Sequence, residues 1–341
     1  MKVALCLSGQ PRLYEECYEW IKTFIIDEYG GDNVDVFCHF WWDGEKGYPA
    51  LSPWNMDRHD SDSFKEHKKD IKKDLIRLYK PKDIAYSKQI NLLDYYYDND
   101  RDELKKERND VLKIFNRKKR SFWRDYPERL QNYMKDNLKQ IFESQWECQQ
   151  LKLNYEKKHN FKYDLVIRTR YDLAFNPHYD NKTLSPPERG NTWGGKFGTL
   201  PSIAEIKTLF SGFGYKDGQE FCPPILTEWD NLWFYSSKIH DVLMRQMFDN
   251  FDDLFDQIVG LKPMIDTHGT KYTYKFVDIL AIPEQLQETA CRSISNYDGF
   301  SLLEGCGLNA LLWIPRDGND LKACKERWKE AMKEGHKGEI W

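Results

Sequence analysis

The apolar run Val3-Ala4-Leu5-Cys6-Leu7 leads straight into the turn-forming Ser8-Gly9-Gln10-Pro11. A short run without polar alternation is expected for a strand buried on both faces, the environment of a parallel sheet. Behind the turn, Tyr14, Tyr18, Ile21 and Ile25 recur at helical spacing, and Gly30-Gly31 ends that segment before a second strand-like run, Val34-Asp35-Val36-Phe37-Cys38-His39-Phe40. Strand, helix and strand in close succession predict a βαβ unit with a right-handed crossover, and so an α/β fold.

The same alternation returns in the second half of the chain. Leu138, Ile141, Phe142 and Trp146 lie on one helical stripe that leads through His159-Asn160 into the strand Tyr163-Asp164-Leu165-Val166-Ile167. Trp229 to Tyr235 reads as another strand, with Ser236 or Ser237 capping a helix that carries Ile239, Leu243, Met247, Phe251, Leu254 and Ile258. A further helix is expected from Pro283-Glu284, and a terminal one within Asp317 to Trp341. Between the two α/β parts, residues 57–136 are dense in Lys, Arg, Asp and Glu and read as a mostly helical insertion. The stretch from Asp172 to about Pro224 is marked as loops by Gly194, Gly195, Gly198, Gly212, Gly214 and Gly218. The expectation is one domain over residues 1–341, a Rossmann-type mixed and mainly parallel sheet flanked by helices, with 57–136 inserted in it.

Charge and cysteine usage narrow the function classes. A formal net charge of −4 offers nothing to attract nucleic acid or an anionic membrane. The basic run Arg117-Lys118-Lys119-Arg120 sits in a mixed-charge stretch and reads as a solvated helix face. The eight cysteines are dispersed, without a C-x-x-C pair, as expected of reduced, buried thiols. The N-terminal apolar run is too short for a signal peptide and no segment is long and apolar enough to span a bilayer, so a cytoplasmic location is expected. Serine-hydrolase and zinc-protease motifs do not occur.

The segment richest in chemistry is Asp164-Leu165-Val166-Ile167-Arg168-Thr169-Arg170-Tyr171-Asp172. If the strand stays extended, Arg168, Arg170 and Asp172 share a face, gathering two guanidiniums and a carboxylate at the strand's carboxyl end. Open α/β sheets bind ligands there, and this mixture suits a metal-bound diphosphate, with Asp172 on the cation and the arginines on phosphate oxygens. An internal ion pair with Asp172 or Asp164 is the equally open alternative. Ser8, Gly9 and Arg12 follow the first strand, where Gly9 allows close backbone approach and Arg12 can reach a phosphate; a plain tight turn is the competing reading. His39 closes the second strand, as a ligand contact or a hydrogen-bonded core residue. Gln145 lies on the helix before the central strand, next to Trp146. Asp230, or Glu228 two residues before it, can serve as a base whose pKa is raised by partial burial; a turn-forming aspartate is the alternative for Asp230.

Four segments taken together carry a resemblance: Leu7-Ser8-Gly9-Gln10-Pro11-Arg12, Phe37-Cys38-His39-Phe40-Trp41-Trp42-Asp43, Tyr163 to Asp172, and Asp230-Asn231-Leu232-Trp233-Phe234. The chain is similar to glycosyltransferases of large DNA viruses, phages and bacterial polysaccharide clusters, the WavE-like group. The resemblance covers roughly residues 1–50 and 137–315. It implies a GT-A-like fold, a nucleoside-diphosphate sugar as donor, a glycan acceptor, Mn²⁺ or Mg²⁺ as cofactor, and the host cytoplasm if the chain is viral. Leu7, Ser8, Gly9, Arg12, His39, Gln145, Arg168, Arg170 and Asp172 become the donor-binding candidates, Asp172 the metal ligand, and Asp230 or Glu228 the base. Such enzymes usually carry an Asp-x-Asp metal motif; here Arg170-Tyr171-Asp172 stands in its register and keeps the second carboxylate only. Two other functions stay open, a nucleotidyltransferase that makes the sugar nucleotide and a non-catalytic carbohydrate-binding relative.

Overall fold

The structure is a computed structural model that describes residues 1–42, 70–118, 123–175, 203–204, 206–207, 226–228, 232–265, 271–272, 312–313, 322–323 and 325–326. β1 (Val3–Gly9) leads into α1 (Tyr14–Ile21), which continues as a π-helical turn over Lys22–Asp27 before β2 (Val34–Trp41). Next come α2 (Ile71–Tyr79), β3 (Asp83–Ser87), α3 (Leu92–Tyr97), α4 (Arg101–Lys118) and the long α5 (Glu128–His159). β4 (Leu165–Thr169), β5 (Ala174–Phe175), β6 (Leu226–Glu228) and β7 (Leu232–Ser236) follow, then α6 (Ser237–Asp249) and α7 (Phe251–Ile258). The short strands β8 (Met264–Ile265), β9 (Lys271–Tyr272) and β10 (Leu312–Trp313) complete the described elements.

The main sheet is six-stranded, in the order β3-β2-β1-β4-β7-β6. β1 to β4 are parallel to one another, whereas β7 runs antiparallel to both β4 and β6. This is the expected α/β class with a mixed, mainly parallel sheet and flanking helices. The apolar run at the N-terminus predicted it because β1 is covered on both faces. Val3, Leu5 and Leu7 pack with Cys17, Ile21 and Phe24 behind α1, and Ala4 and Cys6 pack with Cys148 of α5 on the opposite face. The described cysteines Cys6, Cys17, Cys38 and Cys148 are buried free thiols. No described helix is long and apolar enough to cross a membrane.

The charged stretch 57–136 is not wholly helical. Its described part includes α2, α3, α4 and the start of α5, but it also supplies β3, which pairs in parallel with β2 from Phe37↔Asp83 to Trp41↔Ser87. β3 is an edge strand whose residues are exposed or half-buried, so it lacks the dense apolar run that marks an inner strand. The helix expected from Ser236 onward is two helices, α6 and α7, separated at Asn250. Ser236 does cap the first, accepting a hydrogen bond from the Ile239 N–H. The helix expected from Pro283, most of the terminal helix and the glycines at 194–218 lie outside the described residues.

α5 carries an unusual load for a helix covering a sheet. Below its apolar contacts, Gln149, Lys152 and Glu156 are all but fully buried. Lys152 Nζ donates to Asp241 Oδ1 at 2.8 Å, Ser237 Oγ at 2.8 Å and Glu156 Oε1 at 3.1 Å. Glu156 in turn accepts from the Tyr163 N–H at 3.0 Å and from Lys162 at 2.6 Å. The network joins the end of α5 to the start of β4 and to α6. Removing one member strands the others in a dry environment, which costs about 3–5 kcal/mol. Lys152→Met is therefore expected to lower the stability by about that amount, read as a drop in the urea midpoint at unchanged slope.

Candidate functional site

In an open α/β sheet, ligands bind beyond the carboxyl ends of the strands where the strand order reverses. Here that switch point lies between β1 and β4, since the chain runs from β1 outward to β2 and β3 and then returns to β4 on the other side. The two segments that leave the sheet at this crevice are Ser8 to Arg12 and Arg170 to Asp172.

Both segments are shaped by local constraints. β1 ends at Gly9, whose φ of +110° is a conformation L side chains rarely adopt, although space for a Cβ is open there. The turn then closes tightly, with the Arg12 N–H on the Gln10 carbonyl at 2.9 Å. β4 stops at Thr169, so the extended conformation does not persist to Asp172. Tyr171 turns the chain by donating its hydroxyl to the carbonyls of Leu7 and His39, at 3.2 and 3.1 Å. Burial holds that phenol well above its ordinary pKa, so it stays a donor across the physiological range.

The turns bring Arg12, Arg170 and Asp172 together. Arg170 grips the carboxylate with two bonds, Nε to Oδ1 at 2.8 Å and Nη2 to Oδ2 at 3.0 Å. Arg12 Nη2 lies 2.6 Å from Oδ2. Asp172 is fully buried and Arg12 nearly so, whereas a quarter of the Arg170 side chain is exposed. Two guanidiniums thus converge on one carboxylate behind the crevice.

Arg168 does not join them, contrary to the shared-face expectation. It stands in register with Cys6, on the α5 face of the sheet, and its guanidinium lies 5.2 Å from the Trp233 ring. A guanidinium over an indole ring gains a cation–π attraction inside the sheet. Asp164 sits at the far end of the strand, accepting from the Lys2 N–H at 2.7 Å. The parity rule failed because it assumed a straight strand through Asp172.

Of the β1 candidates, Leu7 is fully buried core and Ser8 is opposite His39 in the β1–β2 register. The Gly9 N–H is turned to Ser144 Oγ at 2.9 Å, so the backbone donor that a ligand would use is taken by α5. His39 is fully buried, with Nδ1 2.8 Å from the same Ser144 hydroxyl and Nε2 3.1 Å from Ser87 Oγ. It ties β1, β2, β3 and α5 together behind the crevice, the hydrogen-bonded core role. Burial pushes its pKa down to about 4, which leaves the ring neutral. Gln145 is buried, with no hydrogen-bond partner for Oε1 among the described residues.

The β6–β7 side of the sheet is described in its backbone. Thr169 faces Leu232 in the β4–β7 register, and Leu232 faces Glu228 in the β6–β7 register. Because β7 is antiparallel, Glu228 therefore reaches the same edge of the sheet as the end of β4. Asp230 lies outside the described residues, as does Asp43. Sequence reading gave no role to Ser144, Tyr171 or Gln89, whose Oε1 accepts from Gln10 Nε2 at 2.8 Å. A serine on the sheet-facing side of α5 was the one legible signal among them.

A hard divalent cation takes about six oxygen ligands. Asp172 already gives both oxygens to guanidiniums, and no group of three or more metal-type side chains occurs among the described residues. The described donors do not fit a cation centre. No family model, no curated protein and no solved structure matches this chain.

Two outcomes follow from this geometry. Asp172→Asn leaves two guanidiniums facing a neutral amide and is expected to cost about 3 kcal/mol, seen as a lower thermal midpoint. The depressed His39 pKa means that its contribution to stability is full above pH 6.5 and is lost as the pH falls toward 4. His240 is buried and shifted to about 4 in the same way. Changing His39→Asn is expected to remove part of the fall in urea midpoint between about pH 7 and about pH 5, at up to about 1.4 kcal/mol per unit.

Proposed function

We propose that the chain is a nucleotide-sugar-dependent glycosyltransferase of the GT-A type, moving a hexose or pentose from a nucleoside diphosphate to a glycan hydroxyl. The observation that carries this reading is the pairing of Arg12 and Arg170 on the buried Asp172 at the switch point of the sheet. Guanidinium forks match phosphate oxygens as they match a carboxylate, so the corner is already set for a dianionic leaving group. The resemblance in the segments around Arg12, His39 and Asp172 and the mixed, mainly parallel sheet support the same reading.

In the transfer, the bond between the anomeric carbon and the diphosphate oxygen breaks with its electron pair on the diphosphate. A bond from the anomeric carbon to the acceptor oxygen forms, and the acceptor's proton leaves. Arg12 and Arg170 hold the charge that develops on the leaving oxygens, a differential stabilisation that lowers the barrier. If the anomeric configuration is inverted, the proton passes to Glu228 or Asp230, with Glu228's backbone position at this edge in favour of the former. The cation expected from the resemblance is not needed by this scheme, because the arginines supply the positive charge.

The test is incubation with a panel of nucleotide sugars, with and without Mn²⁺, followed by thermal shift and by release of nucleoside diphosphate. Stabilisation by at least one donor with slow diphosphate release is expected, and it should persist in a chelator. Arg170→Ala is expected to weaken donor binding about ten- to a hundredfold, the worth of a charge-assisted contact. No response to any donor under either condition overturns the proposal. Release of pyrophosphate from a nucleoside triphosphate replaces it with a nucleotidyltransferase.

A further inference from the structure

The crevice has two sides, and they differ chemically. Toward β6, the edge carries the acidic residue Glu228. Toward β3, it carries Ser87, the exposed Lys88 and Gln89, facing Gln10 from the end of β1. β2 lies between β1 and β3, so the Gln10–Gln89 hydrogen bond of 2.8 Å arches over the carboxyl end of a whole strand. Gln10 is also two residues before Arg12 on one tight turn.

Gln89 is 6% exposed, a nearly buried amide at the rim of the sheet. In the bond with Gln10 it accepts through Oε1, so its Nε2 donors take no part in that contact. A carboxamide held by a neighbour in one orientation presents a fixed donor, the feature by which glutamine side chains read nucleobase edges. Adjacent strands stand about 4.8 Å apart, which puts β3 roughly 10 Å from β1. A ribose and base extending from a diphosphate at Arg12 and Arg170 cover a span of this order. The β6 side, with Glu228, is left for the sugar and the acceptor.

Resting on the nucleotide-sugar reading above, we infer that the Gln10–Gln89 amide pair receives the base of the donor nucleotide, with Gln89 Nε2 donating to a carbonyl or ring-nitrogen acceptor on its edge. The orientation is imposed by Gln10, which makes Gln10 the positioning residue and Gln89 the contact.

Calorimetric titration of the full chain with pyrophosphate and with UDP, CDP, GDP and ADP separates base recognition from diphosphate recognition. The unmodified protein is expected to bind at least one of these nucleotides more tightly than pyrophosphate. Gln89→Glu keeps the bond from Gln10 and replaces the donor by an acceptor of the same shape. It should weaken that nucleotide by roughly tenfold, the worth of one hydrogen bond, while leaving pyrophosphate unchanged. Gln89→Ala should do the same without the added charge. Unchanged nucleotide affinity in both variants overturns the inference. So does an equal loss for pyrophosphate in Gln89→Ala, which makes the pair structural. If the unmodified protein binds neither pyrophosphate nor any nucleotide, the diphosphate reading of the arginine corner itself falls, and the base site with it.

Discussion

Everything at the crevice depends on β1 being held from four directions at once. It pairs in parallel with β2 on one side and with β4 on the other, and both its faces are covered by helices. A backbone so enclosed has its amides and carbonyls satisfied by the ladders, and its apolar side chains are removed from water on each face. That rigidity is transmitted to the turn behind it. Gly9 and Arg12 are held in place because the strand before them cannot shift without breaking two ladders.

The second constraint is electrostatic. Asp172 is fully buried at the end of β4, and a lone buried carboxylate would be costly. Arg170 answers it from the same turn and Arg12 from the far side of the switch point, so the ion pair is also a clasp between the β1 and β4 connections. Tyr171 reinforces the clasp through the carbonyls of Leu7 and His39. A pair assembled in this way is preorganised: both guanidiniums are turned toward one carboxylate by the turns that carry them. At the other end of the sheet, the Lys152–Glu156–Asp241 network does a purely architectural task, joining α5 and α6 beneath β4 and β7.

Much of the fold was readable because inner strands and long amphipathic helices leave strong periodic signals. β1, β2, β4, β7, α1 and α5 were each expected close to where they occur. β3 was hidden, since an edge strand needs only a few half-buried residues and sits here in a stretch dominated by charge. The break between α6 and α7 at Asn250 was equally silent, because the apolar spacing continues across it. Within 168–172, the internal ion pair held open for the arginines is formed by Arg170 with Asp172, but its second guanidinium is not that of Arg168. Arg168 belongs to the sheet face with Trp233, and Arg12, from the other end of the sequence, takes its position beside Asp172. His39 was visible as a polar residue ending a strand, yet only its neighbours Ser144 and Ser87 show that it is a tie between elements.

The sequence by itself determined the α/β class, the burial of β1 on both faces and the gathering of charge behind β4. These follow from local periodicity and residue type, which act over a few positions along the chain. Only the tertiary structure decided which charges meet. The register of β1 against β4, the turn at Tyr171 and the crossing of α5 behind the sheet bring Arg12 to Asp172, Ser144 to Gly9 and Gln89 to Gln10. Contacts between residues so far apart in the chain are set by packing in three dimensions. No spacing rule along the sequence encodes them.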